Sequence, residues 1–131
     1  SSFSLPVNHR ETFTGITDAD RALTITELAS AAATVASAPT AYGPDDFAAT
    51  FRAPGHVHVL RGASGGIADR VGHTELGLAL AAETESAPAA VVCEMLDDET
   101  GEALAPDDAA AYATRHDIPY VEGAALVDAL R

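Results

Sequence analysis

Four short segments of this 131-residue chain gather side chains that could do chemistry. The densest is Arg70-Val71-Gly72-His73-Thr74. A guanidinium can grip phosphate oxygens in bidentate fashion, Gly72 lets a backbone come close to an anion, and Thr74 offers a hydroxyl. A helix starting here would add unpaired N–H groups. The segment thus reads as a phosphate cradle, although a plain helix N-cap beside an exposed arginine has the same sequence. Next comes His56-x-His58, whose spacing on a strand puts both imidazoles on one face, as a metal pair would need. His73 and Glu94 could complete it to three imidazoles and one carboxylate. Two histidines with separate hydrogen-bond roles also satisfy so short a pattern.

Glu94 follows Cys93 at the end of an apolar run, where a carboxylate could serve as a general base; a solvated glutamate at a strand end is the alternative. Cys93 itself reads as a small buried residue. The fourth segment, Thr14-Gly15-Ile16-Thr17-Asp18-Ala19-Asp20-Arg21, places hydroxyls, a glycine, acids and a guanidinium around a helix start. Thr14, Asp20 and Arg21 are its candidate substrate contacts, and a capped helix carrying an Asp/Arg surface pair is the other reading. His9, Arg10 and His116 have no evident partner in the sequence.

The elements that must hold these residues follow from patterning. Phe3 to Asn8 alternates as a strand, with Pro6 suggesting an edge. Thr17 caps a helix from about Asp18 to Ser37, with Asp20 in the place of the usual glutamate of a capping box. A loop over Pro39 to Pro44 leads to a short helix over Asp45 to Phe51. His56 to Leu60, entered through Pro54-Gly55, reads as a strand that empties into a glycine-bearing loop from Arg61 to Gly72, and Thr74 to Leu80 reads as a helix. Ala89 to Cys93 is a continuous apolar run expected to be a buried strand. Asp97 to Gly101 is a turn, Pro106 opens a helix reaching about His116, Ile118 to Val121 reads as a short strand, and a last helix starts at Gly123. The expected class is α/β or α+β, a mixed sheet packed with helices in a single domain, with parallel pairing favoured.

Composition narrows the partners. Twenty acidic residues face seven basic ones, all of them arginine, for a net charge of −13. Such a surface repels nucleic acid and anionic lipid. Self-repulsion of that strength suits heavy screening, since the Debye length falls to ~3 Å at 1 M salt, and favours a salt-loving source; an ordinary acidic protein from a GC-rich genome is the other reading. One cysteine gives no internal disulfide. A soluble, cytoplasmic protein is the expectation.

Together the segments resemble one family. Thr14-Gly15-Ile16-Thr17-x-x-Asp20-Arg21, Arg52-x-Pro54-Gly55-His56-Val57, Arg61 through Gly65-Gly66 to Arg70-x-Gly72-His73-Thr74-Glu75, and Cys93-Glu94 occur in this order in the 3,4-dihydroxy-2-butanone 4-phosphate synthases. The opening Ser1-Ser2-Phe3-Ser4 and Asn8-His9-Arg10 are most similar to archaeal members. The resemblance implies an enzyme of riboflavin biosynthesis that uses Mg²⁺ or Mn²⁺ to convert ribulose 5-phosphate to the four-carbon ketone phosphate and formate, with its sites built at a homodimer interface. It implies that His73 is a metal ligand and that Arg70, Val71, Gly72 and Thr74 hold the substrate phosphate. It also implies that Glu94 contacts substrate and, with His56, takes part in proton transfers. His58 has no counterpart in the family's motifs. Family members also carry an upstream acidic loop of the type Arg-Glu-x-Glu that supplies carboxylate ligands to the metal, and this chain lacks it. The expectation is therefore an N-terminally incomplete part of one synthase domain, inactive alone. A non-catalytic phosphosugar-binding or assembly module and a His-cluster metallohydrolase are the alternatives.

Overall fold

The computed structural model describes residues 2–84 and 86–130 and contains helices and strands together, a mixed α/β arrangement as expected. It divides into two compact units, Ser1–Ala90 and Val91–Arg131.

The first unit is built on an antiparallel pair, β1 (Ser2–His9) and β2 (Phe51–Arg61). Parallel pairing was the expectation, and the observed ladder corrects it: β2 returns alongside β1 in the opposite direction, with Phe3 opposite Leu60 and His9 opposite Phe51. The register steps twice. The larger step falls after Val7, which pairs with Val57, whereas Asn8 pairs with Arg52. Residues 53–56 therefore leave the ladder as an excursion of β2, the kind of bulge that re-aims side chains next to functional sites. Gly55 is needed there, because a Cβ on it would lie 2.0 Å from the Val7 carbonyl carbon and 2.2 Å from the Asn8 nitrogen.

Helix α1 (Asp18–Ser37) begins as the sequence indicated: the Thr17 side chain accepts the Asp20 N–H at 3.2 Å. Its tie to the sheet is polar. Thr24, completely buried, accepts the His9 N–H at 3.0 Å and donates to the Asp20 carbonyl at 3.0 Å. Helix α2 (Pro44–Thr50) has proline in its first turn, where the missing N–H costs nothing, and the Asp46 carboxylate accepts the Gly43 N–H at 2.8 Å. Phe47 and His9 both rest against the buried ring of Phe51, at 4.8 and 5.9 Å between centroids. The loop after β2 closes through a short 3₁₀ turn over Gly66–Ala68 and enters α3 (His73–Ala82).

In the second unit, Leu96 and Ala103 form an isolated antiparallel bridge around the acidic turn expected at Asp97–Gly101. Asp97 holds that turn by accepting the N–H groups of Glu99 at 2.8 Å and Thr100 at 3.0 Å. These donors outweigh the cost of partial burial and keep its carboxyl below the ordinary carboxylate range. Helices α4 (Pro106–Arg115) and α5 (Gly123–Leu130) follow. Two expected strands are absent: Ala89–Cys93 is exposed coil, and Ile118–Val121 is also coil. An apolar run makes a strand only where a neighbour pairs its backbone, and among the described residues neither segment has one. No helix among the described residues is long and apolar enough to cross a membrane.

Candidate functional site

The candidate residues of the first unit fall into two clusters, at opposite ends of the β2 segment that begins at Arg52 and leads out through Arg61.

The first cluster forms where the 53–56 excursion meets the loop before α1. Thr14 and Asp20 are brought together: Asp20 Oδ2 accepts the N–H groups of Gly15 at 2.8 Å and Thr14 at 3.2 Å, and the Thr14 hydroxyl at 3.4 Å. Asp20 thus does not reach back to cap its own helix as the capping-box pattern suggested. It gathers the turn ahead of the helix instead. The Gly15 N–H lowers its pKa most; burial pushes the other way, and the Phe13 N–H and the Thr17 and Thr14 side chains add to the lowering. On the far side Arg52 Nη2 donates to the Thr12 and Phe13 carbonyls, both at 3.2 Å. The result is a clamped 12–15 turn. Arg21 is exposed on α1, its backbone N–H bonded to the Thr17 carbonyl at 2.9 Å, and no ion pair joins its side chain to Asp20.

Asn8 ties this turn to His56. Buried at 3% exposure, its Oδ1 accepts the His56 backbone N–H at 2.7 Å and its Nδ2 lies 3.2 Å from His56 Nδ1. Gly15, at φ +82°, packs so closely on the carboxamide that a Cβ there would fall 2.0 Å from Asn8 Nδ2. His58 is engaged elsewhere, edge-on to the Phe3 ring at 6.4 Å. The two histidines of the H-x-H pattern therefore have separate partners.

The second cluster is the loop Gly62–Gly72 with the first turn of α3. Its organiser is Glu75, 2% exposed, which the patterns of phosphate binding did not single out. Glu75 Oε1 accepts the Ala63 N–H at 3.0 Å, and Oε2 pairs with Arg70 Nη1 at 2.5 Å, in the only ion pair among the described residues. Burial pushes its pKa up, but the Ala63 and Glu75 N–H groups and the Arg70 guanidinium together hold it below the ordinary value. Gly72 is the N-cap, and a Cβ on it would lie 2.3 Å from Arg70 Nη1. Arg70 is thereby held flat against the start of α3 while 46% of its side chain remains exposed. Val71 and His73 are exposed beside it, and Thr74 is buried. An anion at this helix N-terminus would meet a half-free guanidinium and a favourable dipole.

Glu94 lies in the second unit, exposed, just ahead of the Asp97–Gly101 turn, and the sulfur of Cys93 is exposed rather than buried as expected. The missed residues, Asn8, Thr24, Arg52 and Glu75, are polar groups that act on backbone across long sequence separations. Asn8, Arg52 and Glu75 belong to segments that carry the family resemblance, but nothing in their spacing gave their partners.

A metal fares poorly on these residues alone. Among those described, no three of His, Cys, Asp or Glu are grouped to hold an ion. His73 opens a helix whose N-terminal dipole disfavours cations, and the nearest buried carboxylate, Glu75, is already committed to Arg70. Mg²⁺ prefers several oxygen ligands. These residues do not make a complete site for it.

Comparison with known proteins matches residues 1–129 to the family model described as 3,4-dihydroxy-2-butanone 4-phosphate synthase. A protein of that name from Archaeoglobus fulgidus is 49% identical over 131 residues, all of this chain and 53% of the relative. One from Methanothermobacter thermautotrophicus is 47% identical over 128 residues, 98% of this chain and 53% of its own length. A crystal structure of the synthase of Candida albicans superposes with a TM-score of 0.80 at 31% identity, covering 99% of this chain and 60% of that one. The chain thus spans about half the length of the curated relatives it matches.

Proposed function

The chain belongs to the 3,4-dihydroxy-2-butanone 4-phosphate synthase family, and from that membership we propose that the polypeptide carrying it converts ribulose 5-phosphate to 3,4-dihydroxy-2-butanone 4-phosphate and formate in riboflavin biosynthesis. The observation that carries the reading is the second cluster. Arg70, braced by Glu75 and set against Gly72 at the N-terminus of α3, is a half-exposed cationic side chain beside a helix dipole, a fit for the phosphate of a sugar phosphate. Val71 and Thr74 complete the cradle. Thr14, Asp20 and Arg21 are proposed to face the rest of the substrate.

Glu94 and His56 are the proposed handlers of the protons exchanged during enediol formation and rearrangement. A carboxylate within reach of a carbon acid is a competent base, and an imidazole can stabilise the oxygen charge that develops. Mg²⁺ or Mn²⁺ is the proposed cofactor, with His73 as one ligand and the carboxylate ligands drawn from the rest of the polypeptide. A homodimer working in the cytoplasm, from a salt-loving archaeon, completes the reading; the acidic surface supports the last element.

The test is formate release from ribulose 5-phosphate by the full-length polypeptide. It should occur with Mg²⁺ or Mn²⁺, stop with a chelator, and be absent from the 131-residue chain alone. A full-length protein that binds the phosphosugar without turning it over would favour the binding-module reading instead.

A further inference from the structure

We propose that Asn8 is a positioning residue that fixes His56 in the neutral tautomer protonated at Nε2. The His56 backbone N–H can only donate, so the Asn8 atom 2.7 Å away must be Oδ1, and the carboxamide is thereby oriented. Its NH₂ then faces His56 Nδ1 at 3.2 Å. An NH₂ group cannot accept, so Nδ1 must present its lone pair and the ring proton must reside on Nε2. Rotating the carboxamide would not relieve this constraint. It would set NH₂ against the backbone N–H, and the carboxamide is packed under Gly15 with 3% exposure.

The consequence rests on the proposed function for its catalytic meaning only, and within it narrows His56 from a carrier of protons to a hydrogen-bond donor. A neutral imidazole with its proton on Nε2 is a hydrogen-bond donor at its exposed edge and has no free lone pair there. His56 would then polarise a carbonyl or enediolate oxygen through Nε2–H, keeping its proton, as neutral histidine electrophiles do. It could neither abstract a carbon-bound proton through Nε2 nor bind a metal through it. The base role passes to another group, for which Glu94 is the candidate. The same placement separates His56 from the metal-pair reading, because a ligating histidine donates its second N–H outward, whereas Nδ1 here receives one.

The experiment is a long-range ¹H–¹⁵N correlation spectrum of the ¹⁵N-labelled full-length protein at about pH 8, where imidazoles are neutral. The His56 ring is assigned by its loss in His56→Gln. A freely exchanging imidazole gives averaged nitrogen shifts; His56 should give a fully unprotonated Nδ1 and a fully protonated Nε2. In Asn8→Asp the carboxylate still accepts the His56 backbone N–H, so the excursion keeps its anchor, but it can now only accept from the ring. The pattern should reverse to Nδ1–H, with kcat falling at least tenfold and KM little changed. Averaged shifts or Nδ1–H in the wild type would overturn the proposal, as would an unchanged pattern in a folded Asn8→Asp. The tautomer is read without turnover, so failure of the proposed activity and failure of this inference are separate outcomes.

Discussion

Arg70 and Glu75, five residues apart, form an ion pair that folds the glycine-bearing loop back onto the first turn of α3. The buried carboxylate is shared: one oxygen takes the guanidinium, the other takes the Ala63 N–H at 3.0 Å. The two ends of the loop are therefore pinned by one side chain.

Glu75 should consequently control loop order separately from charge. In Glu75→Gln an amide oxygen can still accept the Ala63 N–H, whereas Glu75→Ala removes both contacts. Hydrogen exchange at the Ala63 amide should accelerate about tenfold or more in the alanine variant and change little in the glutamine variant, as expected for local opening where a single contact closes a segment. Equal acceleration in both would show that the loop is held by something else.

Gly72 should matter through Arg70. A Cβ there would meet the guanidinium at 2.3–2.9 Å, and because that group ends a flexible side chain, Arg70 can yield by swinging away from Glu75. Gly72→Ala should fold normally yet raise KM for ribulose 5-phosphate by about tenfold, the loss of one charge-assisted contact, with a smaller effect on kcat. Steady-state kinetics would check this.

Gly55 should matter through the backbone. Its missing Cβ makes room for Val7 and Asn8 main-chain atoms at 2.0–2.4 Å, which cannot yield without parting the strands. Gly55→Ala should cost about 2–3 kcal/mol, as overpacking does. Gly43, whose Cβ would meet only Asp46 Oδ2 at 3.8 Å, is the control and should tolerate alanine. Denaturant unfolding of the full-length protein distinguishes them.

The acid limb of stability should depend on Asp20. Its carboxyl lies below the ordinary value of 3.8 because the folded 13–15 turn donates to it, so the unfolded chain binds more protons in that range. The stabilisation is then present above about pH 4 and is lost as pH falls through the lowered folded-state value. Glu75, lowered from 4.5, acts in the same direction. Tm measured from pH 6 down to pH 2.5 should fall more shallowly in Asp20→Asn than in the wild type.

Local rules made much of this chain legible. The cap at Thr17 and the loop-to-helix junction at Gly72 rest on contacts within a few residues, and the sequence carried them; Pro44, expected to end the loop before a helix starting at Asp45, is instead the first residue of α2. Asn8 and His56 are 48 residues apart, and Arg52 reaches Thr12 across 40. No periodicity encodes such pairs. The Ala89–Cys93 run failed for a related reason: apolarity records a tendency to be buried, while a strand needs a partner's backbone, which its own residues cannot specify. Glu94 stands out in the sequence as an acid closing an apolar run; it is exposed in the second unit, and its part in the chemistry is proposed from the family resemblance.

The most direct test of the central claim is the fate of a single carbon. Full-length protein supplied with ribulose 5-phosphate labelled with ¹³C at C4, in the presence of Mg²⁺, should release the label as ¹³C-formate in stoichiometric yield by ¹³C NMR. An unlabelled formate, or a substrate signal that never changes, would contradict the assignment.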